Sequence, residues 1–399
     1  MSDLTVDYAS IAELSASLQS RELSAVALTE AVLARAHALQ PHLNAFVTLT
    51  VKRATAEARA ADIELDAGLS RGPLHGVPYV AKDLFDVAGH PTQAGCPLLA
   101  DNTANTDAAV VARLARAGMV LIGKTHTVQF AFGGVGINRD FGTPHNPWSE
   151  TAHAPGGSSS GTAVAVSAGL VPMGLGSDTG GSVRIPAALC GIAGLKTTVG
   201  RVSRAGVYPL SWTLDSVGPL ARTVRDCALT YTAMHGPDGG DPTTLNRDPH
   251  EVLSDLELGV GGLRICFAET AFWDDADPAV VEAVRAAGQV FENLGARVGS
   301  IDLTEAGQVA GGERERHRAL IVAAEGCAVN RRLLDEHFDA LDPRVANRMI
   351  AGRTLSAPDY GDTLRAWQSL QRDAKRALRD IDAVLVPTCA ITARPLAEI

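Results

Sequence analysis

A chain of 399 residues that is 46% hydrophobic and 20% charged can bury a large core and reads as globular, not disordered. Its formal net charge of −10, with no basic run or stripe, argues against nucleic acid as a partner. The acidic, polar start MSDLTVDYAS is not a signal peptide, and the longest apolar stretch is broken by Gly169, Pro172 and Gly174, so the default expectation is a soluble cytoplasmic protein that does not engage a membrane.

Residues 7–45 read as helical, with Ser24 as a cap and Val26, Leu28, Val32 and Leu33 at helical spacing. Near residue 73 the pattern changes. GPLHGVPYVAKD places Gly and Pro around a short apolar run at 77–81, which predicts a strand entering a turn at Lys82. Residues 106–118 form an amphipathic pattern, with Thr106 as cap, Val110, Val111 and Leu114 on one face and Gly118 as stop. MVLIG at 119–123 follows as a buried strand, and 134–158 is polar and loop-like. A helix of small residues is predicted at 160–170 and a buried strand at 171–176, which delivers DTGGS at its carboxyl end. Ser182 then opens a short helical segment. A second βαβ-like passage comes further on: 263–268 reads as a strand, and Asp277 and Pro278 start a helix. That helix has Val280, Val281, Val284, Phe291 and Leu294 inward and Gly295 as stop. Another strand is expected at 296–303, mainly helix over 305–380, and a last strand at 383–387.

This alternation predicts an α/β architecture. It is organised as an N-terminal helical segment at 1–70, a core at 71–230, and a C-terminal α/β part of the same domain at 231–399. The cysteines at 96, 190, 227, 266, 327 and 389 are far apart and lack a CxxC pair, so they read as reduced core thiols.

Three short pieces carry the chemistry: KD at 82–83, GGSSSG at 156–161 and DTGGS at 178–182. Singly they are ordinary. GGSSSG is a flexible loop by composition, DTGGS a tight turn, and Asp83 and Asp178 plain helix caps. GGSSSG is not a phosphate loop, because no Lys-Ser or Lys-Thr follows in register. It also spells G-x-S-x-G around Ser159, but that nucleophile elbow needs a preceding strand, which HAPGG does not make. Together the pieces supply a lysine, a serine in a glycine-rich loop, and a second serine after two glycines. That is the set required for a serine nucleophile activated by a lysine through a relaying serine. Among 35 basic residues, lysine occurs only at 52, 82, 124, 196 and 375. A buried ammonium can lose its proton, whereas a guanidinium cannot.

The combination resembles the amidase signature family. Residues 72–89 (GPLHGVPYVAKDLFDVAG), 155–163 (PGGSSSGTA) and 174–205 (GLGSDTGGSVRIPAALCGIAGLKTTVGRVSRA) carry the likeness, with weaker support from 140–148 and 214–224. The separations of 76 residues between Lys82 and Ser158 and 24 between Ser158 and Ser182 are also the family's. The resemblance implies a large mixed β-sheet covered by helices on both faces, with no metal and no organic cofactor. It implies Ser182 as nucleophile, Ser158 as a proton relay after a cis peptide bond, and Lys82 as neutral base. Backbone N–H groups of Thr179, Gly180, Gly181 and Ser182 would form the oxyanion hole, with Asp178 and Arg184 bracing the loop. The implied activity is hydrolysis of a small-molecule amide at its C–N bond. Two alternatives stand beside it: the glutaminase component of a tRNA-dependent amidotransferase, and an inactive binding or scaffold protein.

Two departures from the family pattern qualify the expectation. Gln129 stands in TVQFAFGG (127–134), where the family usually has glutamate, and is expected to alter the wall of the site. The sequence also stops at ITARPLAEI, before a glycine-rich segment with which the family adds strands. The expectation is therefore an open pocket, with the sheet completed by additional polypeptide or by a homodimer through the region of 383–387.

Overall fold

The computed structural model describes residues 7–248, 250–270, 272–303 and 313–399. Ser10 starts the first helix, α1 (Ile11–Gln19), with a reciprocal capping box: its hydroxyl accepts from the Glu13 amide and the Glu13 side chain accepts from its own. Ser24 caps α2 (Ala25–Leu43) by accepting from the Ala27 amide at 3.0 Å. The helical stretch expected at 7–45 is thus two helices, divided by a turn in which Arg21 takes φ +63°. Asn44, at φ +47°, ends α2 in the left-handed conformation.

Strand and helix then alternate as far as β5, which β6 follows directly: β1 (Phe46–Leu49), α3 (Val51–Asp66), β2 (Pro78–Lys82), α4 (Ala109–Arg116), β3 (Val120–Thr125), α5 (Ser160–Ser167), β4 (Met173–Asp178), α6 (Arg184–Leu189), β5 (Ala193–Gly194), β6 (Ser216–Ala221) and α7 (Val224–Met234). Val110, Val111 and Leu114 of α4 are buried as expected, but its cap position is Ala108 and not Thr106. The nearby carboxylate, Asp107, is instead held by Arg53 through two bonds of 2.7 and 2.8 Å.

These strands form one mixed sheet in the order β1-β3-β2-β4-β6-β5. β2 runs parallel to both β3 and β4, while β1, β6 and β5 are antiparallel to their neighbours. Every residue of β2, β3, β4 and β6 is buried, which requires cover on both faces. α5 packs along β2, β3, β4 and β6, α3 on β3, and α7 on β5 and β6. α5 can lie this close because all eight of its residues are buried and small or β-branched.

The chain divides into two compact units, one spanning residues up to Leu253 together with Ala393–Ile399, the other Ser254–Thr392. The second unit contains β7 (Arg264–Glu269), α8 (Pro278–Asn293), β8 (Arg297–Asp302), α9 (Glu313–Val329), α10 (Arg331–Glu336), α11 (Pro343–Ile350), α12 (Ala357–Ala377) and β9 (Ala383–Leu385). Its strands make a separate parallel sheet in the order β8-β7-β9. Leu294, expected inward, is 60% exposed. It follows the last residue of α8, where the chain turns toward β8. Of the stretch expected to be mainly helical, residues 304–312 lie outside the described residues.

Cys96, Cys190, Cys227, Cys266 and Cys327 are buried free thiols, and Cys389 is half-buried. Among the described residues no helix is long and apolar enough to cross a membrane.

Candidate active site

The parallel β2–β4 pairing sets Ala81 opposite Leu175, so both strands release their next residues at the same edge. This is the edge where parallel sheets generally present their ligand-binding loops. Lys82 ends β2 and is fully buried. Its Nζ lies 2.7 Å from Ser158 Oγ and 2.8 Å from Ser177 Oγ, the latter from the end of β4. The peptide bond between Gly157 and Ser158 is cis. Gly157 is needed because a Cβ there would come within 2.8 Å of the Gly136 amide nitrogen.

The β4–α6 turn holds the remaining residues. Asp178 is buried and organises the turn by accepting from the Gly181 amide at 2.7 Å, the Val183 amide at 3.1 Å, and Arg184 Nε and Nη2 at 3.0 and 2.9 Å. Gly181 takes φ +137°, and a Cβ there would sit 2.5 Å from Ile185 Cδ1, so only glycine suits the turn. Ser182 is buried and its carbonyl accepts from the Ser159 amide at 3.2 Å. That bond lays the glycine-serine loop beside the DTGGS turn. The Ser159 hydroxyl donates to the Ser177 carbonyl at 3.4 Å, and Ser159 follows an irregular loop and not a strand.

Electrostatics separate the two fully buried lysines. Lys124 pairs with the buried Asp83 carboxylate at 2.7 Å. The partners of Lys82 are the two serine hydroxyls, and burial brings its pKa down to about 7, against the opposing pull of the Asp215 and Asp178 carboxylates. Burial pushes the Asp178 carboxyl up, but the Arg184 guanidinium and the Val183 and Gly181 amides outweigh it and hold the group below its ordinary range. Burial raises Asp215 despite hydrogen bonds from the Thr179 hydroxyl and the Ser211 and Leu210 amides.

A cavity of about 250 Å³ opens beside this cluster. Ser177, Thr179 and Asp215 contribute polar groups to it, and Leu84, Tyr208 and Trp212 apolar surface. Its cation, Arg204, is occupied by Asp241 at 3.0 Å and by the Trp212 carbonyl at 2.7 Å. The block at 127–134 contributes Ala131 to the lining. Gln129 is buried and donates to Asp140 Oδ2 at 3.1 Å. Lys82, Ser158 and Ser182 are not among the residues that line this cavity. A larger hollow of about 470 Å³ near β5 and α7 shares no lining residue with it. No cluster of three or more His, Cys, Asp or Glu side chains able to hold a metal occurs among the described residues.

The structure thus joins Lys82 to Ser158, sets Ser159 against Ser182, and ties Asp178 to Arg184. It differs from the sequence expectation at Gly181, whose amide faces the Asp178 carboxylate. That carboxylate is buried and needs donors, and the loop supplies this one. Two residues escaped the sequence reading. Ser177 stands directly before the DTGGS motif, but nothing in a buried strand marks one hydroxyl for contact with a lysine 95 positions away. Asp215 lies in the block at 214–224, where nothing local marks a carboxylate for the site, and its bond to Thr179 crosses 36 positions.

Comparison with known proteins gives the family. The Amidase family profile matches residues 27–399, and the chain belongs to that family, as a hydrolase acting on amide C–N bonds. It is 39% identical over 400 residues to a 2-amino-5-chloromuconic acid deaminase of Comamonas testosteroni, covering 98% of this chain and 82% of the relative. It is 37% identical over 407 residues to the A subunit of the glutamyl-tRNA(Gln) amidotransferase of Methylococcus capsulatus, covering 95% and 81%. A similar solved structure belongs to a vestigial protein complex described as revealing the evolutionary origins of an s-triazine catabolic enzyme. Its TM-score is 0.92 at 35% identity, over 97% of this chain and 83% of that one.

Proposed function

We propose that this chain hydrolyses a small carboxamide in the cytoplasm through an acyl-enzyme on Ser182, with Ser158 as proton relay and Lys82 as base. One observation carries the reading: a fully buried lysine whose partners are two hydroxyls, with its pKa lowered to about 7. Such a group is half neutral near pH 7, where a base is most useful.

In the first half of the cycle, Ser182 Oγ bonds to the carbonyl carbon and gives its proton to Ser158. Ser158 passes its own proton to Lys82 Nζ, which becomes an ammonium. The carbonyl oxygen becomes an oxyanion and takes hydrogen bonds from the amides of Thr179, Gly180 and Ser182, on the turn braced by Asp178 and Arg184. A donor of this kind elsewhere contributes about 3 kcal/mol to the transition state. The C–N bond then breaks, and the departing nitrogen takes the proton back from Lys82 through Ser158. Water repeats the sequence in place of Ser182 and releases the acid.

A cavity lined by Ser177 and Thr179 beside the turn supports a substrate that reaches the turn from that side. The amidotransferase components among the relatives support a second reading, in which the chain is a glutaminase that delivers ammonia to a partner. Ammonia or amine release from a panel of primary amides, anilides, ureas, carbamates and glutamine, with no partner added, separates them. Turnover of a non-glutamine amide supports the first reading. Activity on glutamine alone, raised by an amidotransferase partner, supports the second. No turnover of any member would overturn both.

A further inference from the structure

The contact between Lys82 and Ser177 has a chemical consequence that rests on the reading of Lys82 as the base. A neutral primary amine carries two N–H groups and one lone pair. To take the Ser158 proton, Nζ must turn its lone pair toward Ser158 Oγ, 2.7 Å away. An amine with no other anchor rotates about its terminal C–N bond and loses that alignment. Ser177 Oγ, at 2.8 Å on the end of the neighbouring parallel strand, can accept one N–H. We infer that Ser177 is a positioning residue: by accepting a hydrogen bond from Lys82 it fixes the amine lone pair on Ser158.

Ser177 suits the role because it is itself held. It is 5% exposed, and its strand is paired on both sides, with Ser177 opposite Val217 on β6. Its carbonyl accepts from the Ser159 hydroxyl, so one residue couples the lysine to the glycine-serine loop. In the ammonium form Ser177 also accepts an N–H, which favours the charged state. Removing its oxygen should therefore lower the lysine pKa and misalign the amine together. The charged groups facing Lys82 are Asp178, held by Arg184, and Asp215, held by Thr179 and two backbone amides. None of these is altered by a change at 177.

The test compares Ser177→Ala, Ser177→Thr and Ser177→Cys on whichever amide the panel identifies, with kcat, KM and kcat/KM followed against pH. The alanine variant should lose about 100-fold in kcat on the alkaline plateau, the low end of what positioned proton transfer contributes. KM should hardly change, and the acidic limb should move to lower pH. Ser177→Thr keeps the oxygen and should stay within about threefold of the parent. Ser177→Cys is close in shape but a weak acceptor, and should resemble alanine, so the test survives if the alanine variant fails to fold. A folded alanine or cysteine variant with the parent kcat and limb overturns the inference, as does a folded threonine variant no better than alanine. If Lys82→Ala itself retains turnover, the underlying mechanism fails instead, and that result is distinct.

Discussion

Lys82 Nζ and Ser158 Oγ lie 2.7 Å apart although 76 positions separate them in the chain. The contact is made in a fully buried place, where an ammonium loses its hydration and the groups at hydrogen-bond distance are neutral hydroxyls. A lysine so placed is poised to exchange a proton with the hydroxyl beside it.

The pH dependence follows directly. On the proposed mechanism Lys82 acts when neutral, and its pKa is lowered to about 7. Raising the pH removes its proton, so kcat/KM should climb through about pH 7 to a plateau, with about one tenth of the plateau value at pH 6. Stability moves in the same direction. The unfolded chain holds this proton up to the ordinary lysine value of 10.5 and the folded chain only to about 7. The unfolded state therefore binds more protons between those values, and the contribution of Lys82 to stability rises with pH across that window. A pH–rate profile with a limb removed by replacing one histidine, while Lys82 is intact, would contradict the assignment.

Ser182→Ala and Lys82→Ala should each lower kcat by about four orders of magnitude, with substrate binding largely retained. The double variant should be little worse than either, because on the proposed mechanism the groups act as a unit. Steady-state kinetics on the three proteins, with binding measured separately, checks this. Additive losses would mean that the two residues act in different steps.

Asp178 and Arg184 should differ in their importance although they bond to each other. Asp178 is fully buried, and its loss strips acceptors from the Gly181 and Val183 amides as well as from the guanidinium. Asp178→Ala should cost about 3 kcal/mol of stability and most of the activity. The Arg184 side chain is 45% exposed, and Arg184→Ala leaves the backbone bonds in place, so it should cost about 1 kcal/mol. Denaturant melts of both variants decide it. Equal losses would mean that the ion pair, and not the amide bracing, holds the turn.

Ser159 should be dispensable for chemistry. Its hydroxyl makes a long bond of 3.4 Å to a carbonyl, and its structural tie to Ser182 runs through its backbone amide. Ser159→Ala should keep kcat within about fivefold, since a weak neutral hydrogen bond contributes about 1 kcal/mol or less. A loss comparable with that of Ser182→Ala would reassign the nucleophile.

What could be seen beforehand was governed by how local the signal is. β2 and β4 were legible because strands buried on both faces must be short apolar runs between turn residues, and residues 77–81 and 171–176 are such runs. The small residues of α5 advertised a close approach. The contacts that complete the cluster are not local. Ser177 reaches Lys82 only because β2 and β4 are neighbours in a parallel sheet, and strand order leaves no mark at position 177. The sequence does not show that the Gly181 amide donates to the buried Asp178 carboxylate, because that bond depends on the conformation of the turn. At Thr106 a plausible cap was overridden by tertiary structure, with Asp107 drawn to Arg53. The strand–helix–strand order over 263–303 implies the parallel β7–β8 pairing that is observed, but the apolar pattern does not reveal that these strands and β9 form a sheet of their own.

The most direct measurement is covalent labelling with a serine-directed fluorophosphonate or sulfonyl fluoride, followed by peptide mass spectrometry on the parent and on Lys82→Ala. A single adduct on Ser182 is predicted, formed much more slowly once Lys82 is replaced. An adduct on Ser159, or labelling of Ser182 at an undiminished rate in Lys82→Ala, would contradict a nucleophile activated by a buried lysine.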